Sequence, residues 1–186
     1  VLALDAEPAQ LPVSICEEGA RWTLQHVILD RNQLAQQEAL LRQFFGLLVH
    51  AHYRTTPADL HKMLDAPNLA LHALLADGQV VAASVIAKEG GFPRALCEKL
   101  ARGQGRIRGH ALADTLITHA GQTESGVLSM IRSVRVAVHP ALRRRHLAAA
   151  LVSHVHQSYP GAELFGTLFG ATPELLRFRR SVGYEL

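Results

Sequence analysis

Cysteine is almost missing: Cys16 and Cys97 are the only two in 186 residues. Two thiols so far apart form neither a disulfide framework nor a zinc cluster, which predicts reduced thiols in a cytoplasmic protein without a metal site. No apolar run reaches the roughly 18–20 residues needed to cross a bilayer, which predicts no membrane partner. The opening VLALDAEPAQLPVS has no basic start and no long apolar stretch, so it does not read as a secretion signal. It also lacks an initiator methionine, which predicts an excised piece of a longer protein. Charged residues make up only 19% and apolar residues 48%. That balance argues against disorder and is enough for one domain with a sizeable core. Internal repeats and low-complexity tracts are absent.

What is present is a small positive excess, +3, unevenly spread. Basic residues gather at Lys99, Arg102, Arg106, Arg108 and His110, at Arg143 to His146, and at Arg177, Arg179 and Arg180. These clusters form either one basic face or three separate solvated ones. Residues 1–26 read as a connecting segment, irregular at first, with a strand within Arg21 to Leu29. Asp30 caps a helix from Asn32 to about His52, whose apolar residues recur at helical spacing. Thr56 caps a second helix with Pro57 at its first position. Leu69 to Leu75 and Val80 to Ala87 are strands joined by Asp77-Gly78. Helices over 94–102 and 109–119, a strand over 162–168 and a helix capped by Thr172-Pro173 complete a mixed α/β layered domain.

The chain is organised around Ile131 to Leu151, IRSVRVAVHPALRRRHLAAAL. Val134 to Val138 is a strand, and His139-Pro140 stops it because proline has no N–H for a ladder. Arg143, Arg144 and Arg145 follow, then an alanine-rich helix from Leu147 to His156. Strand, basic turn and helix start make an anion site, from free backbone N–H groups, the helix dipole and guanidinium donors. The alternative is a solvated basic turn.

Read as a unit, Val136 to Ala148 resembles motif A of the GNAT acetyltransferases, a strand followed by Q/R-x-x-G-x-G/A. His52-Tyr53-Arg54-Thr55-Thr56-Pro57-Ala58-Asp59-Leu60 with Leu64-Asp65-Ala66-Pro67, and Phe169-Gly170-Ala171-Thr172-Pro173-Glu174-Leu175-Leu176-Arg177-Phe178, are similar to two segments of the tRNA(Met) cytidine acetyltransferase family. Glu89-Gly90-Gly91 and Arg108-Gly109-His110 fit the same family. The resemblance implies a GNAT acyl-CoA N-acyltransferase fold over residues 27–186, with a central mixed sheet flanked by helices. It implies transfer of acetyl from acetyl-CoA to N4 of the wobble cytidine of elongator tRNA(Met). It also implies an ATPase/helicase-like module and an RNA-binding tail in the full-length chain, ATP being used only there. No G-x-x-x-x-G-K-[ST] loop occurs here. The chain departs from the family pattern at His146, where a glycine is expected, at Ala148, which the pattern accepts, at Arg179 for a tryptophan, and at Ser181 for an arginine.

In such a site, the resemblance implies that backbone N–H groups of Val136 and Val138, around Ala137, bind the acetyl carbonyl and pantetheine arm. A preorganised N–H there stabilises the oxyanion. Arg143, Arg144, Arg145, His146, Leu147, Ala148 and Ala149 would hold the cofactor's phosphates. Glu174 is carried over as a cofactor-side residue, or else is an acid favouring its helix dipole. Histidine suits proton removal from the amine near neutral pH, with His52 first and His139 second; the alternative for each is a packed or surface histidine. Tyr53 could stack on a base or sit in the core, and Arg54 could contact phosphate or a base edge. Arg106, Arg108 and His110 are candidates for RNA backbone contacts. Two other functions stay open: a GNAT enzyme for a small or protein amine, and a degenerate domain that binds RNA or a partner without turnover.

Overall fold

The computed structural model of the chain describes residues 7–17, 19–51 and 56–185. In chain order the elements are α1 (Val13–Cys16), β1 (Leu24–Leu29), α2 (Arg31–Gln36), α3 (Glu38–Ala51), α4 (Pro57–Asp65), β2 (Leu69–Ala76), β3 (Gln79–Gly90), α5 (Arg94–Ala101), α6 (Ala111–Thr118), β4 (Ser129–Val138), α7 (Leu147–Ser158), β5 (Leu164–Thr167) and α8 (Pro173–Ser181). The strands form one five-stranded sheet in the order β1-β2-β3-β4-β5. This is the mixed α/β fold with flanking helices that the sequence predicts. The chain divides into two compact units, Val1–Val85 with Arg135–Val155, and Ile86–Val134 with His156–Leu186.

In the first unit, local sequence sets most boundaries. The Asp30 carboxylate accepts the Gln33 N–H at 2.9 Å and starts α2. The single helix expected over 32–52 is instead two, because Gln37 leaves helical geometry at φ −104°, ψ 76°. α3 then starts afresh at Glu38 and buries Phe44, Phe45, Leu47 and Leu48. Thr56 and Asp59 form a full capping box: the Asp59 N–H reaches Thr56 Oγ1, and the Thr56 N–H reaches Asp59 Oδ2. β1 and β2 are antiparallel, from Leu24 opposite Ala76 to Leu29 opposite Leu71. Asp77 and Gly78 both have positive φ, 47° and 80°, the backbone that a two-residue hairpin needs. Val80 to Val85 of β3 are all buried, the pattern of an interior strand covered on both faces.

In the second unit, Cys97, Leu100 and Ile117 form one buried cluster against Phe92, Leu96 and Ile107. Leu112, Ala113 and Met130 form another, with Leu116, Leu128 and Leu164 against it. Two glycines allow this packing. A Cβ on Gly90, at φ +74°, would run into the Leu128 carbonyl oxygen, and one on Gly166 into the Leu112 side chain. β4 and β5 pair in parallel only from Met130–Leu164 to Ser133–Thr167. β4 continues to Val138, while β5 ends at Thr167.

Candidate active site

The strand–turn–helix stretch folds as its sequence dictates. After Val138, His139-Pro140 turns the chain, and α7 begins at Leu147. The N–H groups of residues 143–149 have no hydrogen-bond partner among the described residues, and the first to be taken up is that of Ala150, by the His146 carbonyl at 3.0 Å. Arg144 and His146 have positive φ, 64° and 59°. Left-handed residues alternating with extended or helical ones bend successive N–H groups into a concave anion cradle. His146 thus holds the backbone conformation that the expected glycine would adopt freely. The side chains of Arg143, Arg144 and His146 are exposed, Leu147 is buried, and Ala148 and Ala149 are half-buried. Leu147 therefore offers the site only its backbone. Ala137 points into the core, and Val136 and Val138 are half-buried.

Arg145 is placed differently from its neighbours. Its guanidinium donates to the carbonyls of Cys16 at 2.7 Å and Glu17 at 3.1 Å, and lies 5.3 Å from the Trp22 ring centre. His139 is likewise engaged: only 7% exposed, with Nε2 against the Ala9 carbonyl at 2.8 Å and Nδ1 accepting the Ala141 N–H at 3.3 Å. That pattern is a neutral imidazole protonated on Nε2. The segment before β1, expected to be a mere connector, is therefore fastened to the turn by two of the turn's own side chains.

Near the capping box, Arg135 of β4 lies 3.7 Å from Asp59. The Asp59 carboxyl is held below its ordinary value, first by the Thr56 backbone N–H, then by the Thr56 hydroxyl, Arg135 and Lys62 against a burial penalty. His52, Tyr53 and Arg54, which directly precede this box, lie outside the described residues.

In the second unit, Arg106 and Arg108 are exposed on the loop between α5 and α6, as an RNA-contacting role requires. His110 is not free in that way. Its Nδ1 accepts the Gly90 N–H at 3.2 Å, and its ring meets the edge of Phe92. Glu174 is exposed in the first turn of α8 and pairs with Arg177 at 3.6 Å.

Several groups make contacts that no local sequence pattern announces. Glu89, 4% exposed, accepts the N–H of Leu112 at 2.7 Å and of Ala113 at 3.2 Å, and pairs with Arg132. A carboxylate at the α6 N-terminus meets both the helix dipole and a guanidinium. His26 stacks on His72 and on His154, and its Nε2 lies 2.9 Å from His72 Nδ1. Burial, then the nearby His154, pushes the His26 pKa below its ordinary value. His156 packs on Phe165 with a buried Nε2 that has no hydrogen-bond partner among the described residues, and burial lowers its pKa too. No cluster among the described residues has the ligands for a metal ion, and no described helix is long and apolar enough to cross a membrane.

Comparison with known proteins gives these arrangements a family. The GNAT acetyltransferase 2 family matches residues 43–164. A tRNA(Met) cytidine acetyltransferase TmcA from Haloarcula marismortui is 40% identical over 186 residues, covering 99% of this chain and 24% of that protein. One from Nitrosococcus halophilus is 40% identical over 179 residues, covering 95% of this chain and 24% of that protein. The chain therefore spans about a quarter of the length of the curated relatives it matches. Among solved structures, a ribosomal-protein-alanine N-acetyltransferase from Brucella melitensis superposes with TM-score 0.55 at 11% identity, over 88% of this chain and 93% of that one. An aminoglycoside acetyltransferase from an uncultured soil metagenomic sample superposes with TM-score 0.52 at 16% identity, over 87% and 88%. At such identities the likeness concerns the fold, and the fold is GNAT. The family match over 43–164 agrees with the strand, basic turn and helix found there, and the chain belongs to the GNAT acetyltransferase 2 family.

Proposed function

We propose that this chain is the acetyltransferase domain of a tRNA(Met) cytidine acetyltransferase, which moves acetyl from acetyl-CoA to N4 of the wobble cytidine. The observation that carries this reading is the turn over 143–149, with its unpartnered N–H groups and left-handed His146, inside a chain 40% identical to proteins of that name. The turn fits the cofactor's phosphates. Its amides and the α7 N-terminus attract anions, and the exposed Arg143 and Arg144 add donors. When bound, acetyl-CoA would supply an acetyl group activated as a thioester, whose C–S bond breaks as the N–C bond forms, with the CoA thiol as leaving group. The N–H groups of Val136 and Val138, on the part of β4 that β5 does not pair, donate to the acetyl carbonyl and the pantetheine arm.

Cytidine N4 has its lone pair delocalised into the ring, so a base must take its proton as the new N–C bond forms. With both His139 nitrogens held by backbone groups, we assign that task to His52 and give His139 and Arg145 the task of positioning the turn. Tyr53, Arg54, Arg106 and Arg108 would hold the RNA, and Glu174 would be a cofactor-side residue. Residues 1–26 would link this domain to an ATPase/helicase-like module in the longer chain, and ATP would act only there.

The test is to incubate the chain, and the longer protein containing it, with labelled acetyl-CoA and an elongator tRNA(Met) transcript, then digest the RNA to nucleosides. The expected product is N4-acetylcytidine, lost when the wobble cytidine is replaced by uridine. Label on free amines, with none on RNA, would overturn the reading.

A further inference from the structure

The structure assigns a second binding function to the unit formed by Ile86–Val134 and His156–Leu186: we propose that its cavity beside β5 receives a single pyrimidine base whose edge is read by Arg179. The cavity has a volume of about 470 Å³. Leu112, Leu164, Phe165, Phe169 and Tyr184 line it, and Arg179 and Glu185 are its charged members. Arg179 is only 8% exposed. Its guanidinium carbon lies 5.3 Å from the Tyr184 ring centre and 5.7 Å from those of Phe169 and Phe178. Among the described residues its one hydrogen bond is a long one, Nη1 to Ser133 Oγ at 3.4 Å, and its buried Nε has no partner.

A cation caged by rings recovers part of its lost hydration from their faces, but not its directed hydrogen bonds. None of the ion pairs among the described residues involves Arg179. Burial draws its pKa below the ordinary arginine value, a shift that Tyr184 opposes. Only one guanidinium nitrogen has an acceptor among the described residues, and that bond is long, so the walls decide which further acceptor suits the site. A phosphate needs several donors and gains nothing from aromatic and aliphatic walls. A flat heterocycle gains from both: its faces stack on the rings and its acceptor edge meets the guanidinium, as bases taken out of a stack are commonly held.

Glu185, exposed and part of the same lining, narrows the choice. A carboxylate accepts from the exocyclic amine of cytosine. Cytosine presents acceptors at O2 and N3 beside that amine, which matches an arginine and a glutamate together. Uracil would turn a carbonyl oxygen toward Glu185. The family resemblance expects tryptophan where Arg179 stands; tryptophan offers a stacking face and one N–H donor, whereas arginine offers a charged fork of several donors to the edge. The acetyl-transfer reading supplies only the reason why cytidine should arrive here.

The test titrates the chain into a short RNA hairpin carrying a fluorescent cytidine analogue in its loop. Saturable quenching is expected, with an unlabelled cytidine hairpin competing about tenfold better than its uridine counterpart. Arg179→Met should weaken binding about tenfold or more, Arg179→Lys less, and Glu185→Gln should flatten the preference for cytidine. Melting curves check folding, and Phe169→Leu, which leaves the charge in place, should reduce the quenching by itself. Acetyl-CoA titrated in parallel should bind every variant as it binds the parent. The proposal is overturned if the parent does not quench, if folded Arg179→Met binds undiminished, if inorganic phosphate displaces the hairpin as readily as RNA does, or if the loss appears in acetyl-CoA affinity instead. Acetyl transfer to tRNA with an Arg179→Met variant unchanged in RNA affinity would sink this inference alone. Intact cytidine preference without acetyl-CoA binding would sink the cofactor reading alone.

Discussion

Arginines do opposite work in the two units. In the turn before α7, Arg143 and Arg144 stand in solvent, where salt screens them and the backbone fixes the geometry. In the other unit, Arg132 is locked to the buried Glu89, and Arg179 is buried without a carboxylate partner among the described residues. Exposed charges can be added or removed with little effect on folding; buried ones are tied to the structure or await a ligand. The sequence shows arginine-rich segments in both places, and only burial separates their roles.

The largest expected effect comes from the buried pair. Glu89→Ala leaves Arg132 and two helix N–H groups without their acceptor and should cost about 3–5 kcal/mol in chemical denaturation. A loss under about 1 kcal/mol would mean that exposure does not separate the two regions. Next comes Arg145→Ala. It removes two hydrogen bonds to carbonyls and the Trp22 contact, and should cost about 1–3 kcal/mol. Limited proteolysis should then cut before β1 sooner than in the parent, whereas Arg143→Ala should leave that pattern unchanged.

Acid should weaken the fold through His26 and His156. Both have folded-state pKa values below the ordinary value near 6.5, so the unfolded chain binds protons more readily than the folded one. Stability should therefore fall as pH drops through about 6.5 and level off once the folded histidines also charge. Asp59, with its lowered pKa, adds a separate loss only as pH falls below about 4. Replacing His26 and His156 with phenylalanine should flatten the first window and spare the second. The smallest stability effect is that of His146→Gly. Relief of the left-handed backbone is partly offset by greater freedom in the unfolded chain, leaving a net change of under about 1 kcal/mol. Acetyl-CoA affinity should rise, because the cradle loses a bulky side chain.

Local chemistry made much of this legible in advance. The Asp30, Thr56 and Thr172 caps, the Asp77-Gly78 hairpin and the strand–turn–helix all depend on neighbours within a few residues. The break at Gln37 and the fastening of residues 9–17 by His139 and Arg145 were not legible. Nor were the stacking of His26, His72 and His154 and the burial of Glu89. Each of these last three arises from contacts between residues far apart in the chain, which no local pattern records. Motif position alone also made Arg145 and His139 equal to their neighbours, although the fold directs their polar atoms to backbone groups.

The most direct test of the account is a calorimetric titration of acetyl-CoA into the chain, repeated with desphospho and truncated fragments of CoA. Saturable one-site binding is expected, weaker when the phosphates are removed and stronger in His146→Gly. No heat up to millimolar acetyl-CoA in both the parent and His146→Gly would contradict the assignment of residues 143–149 as the phosphate cradle.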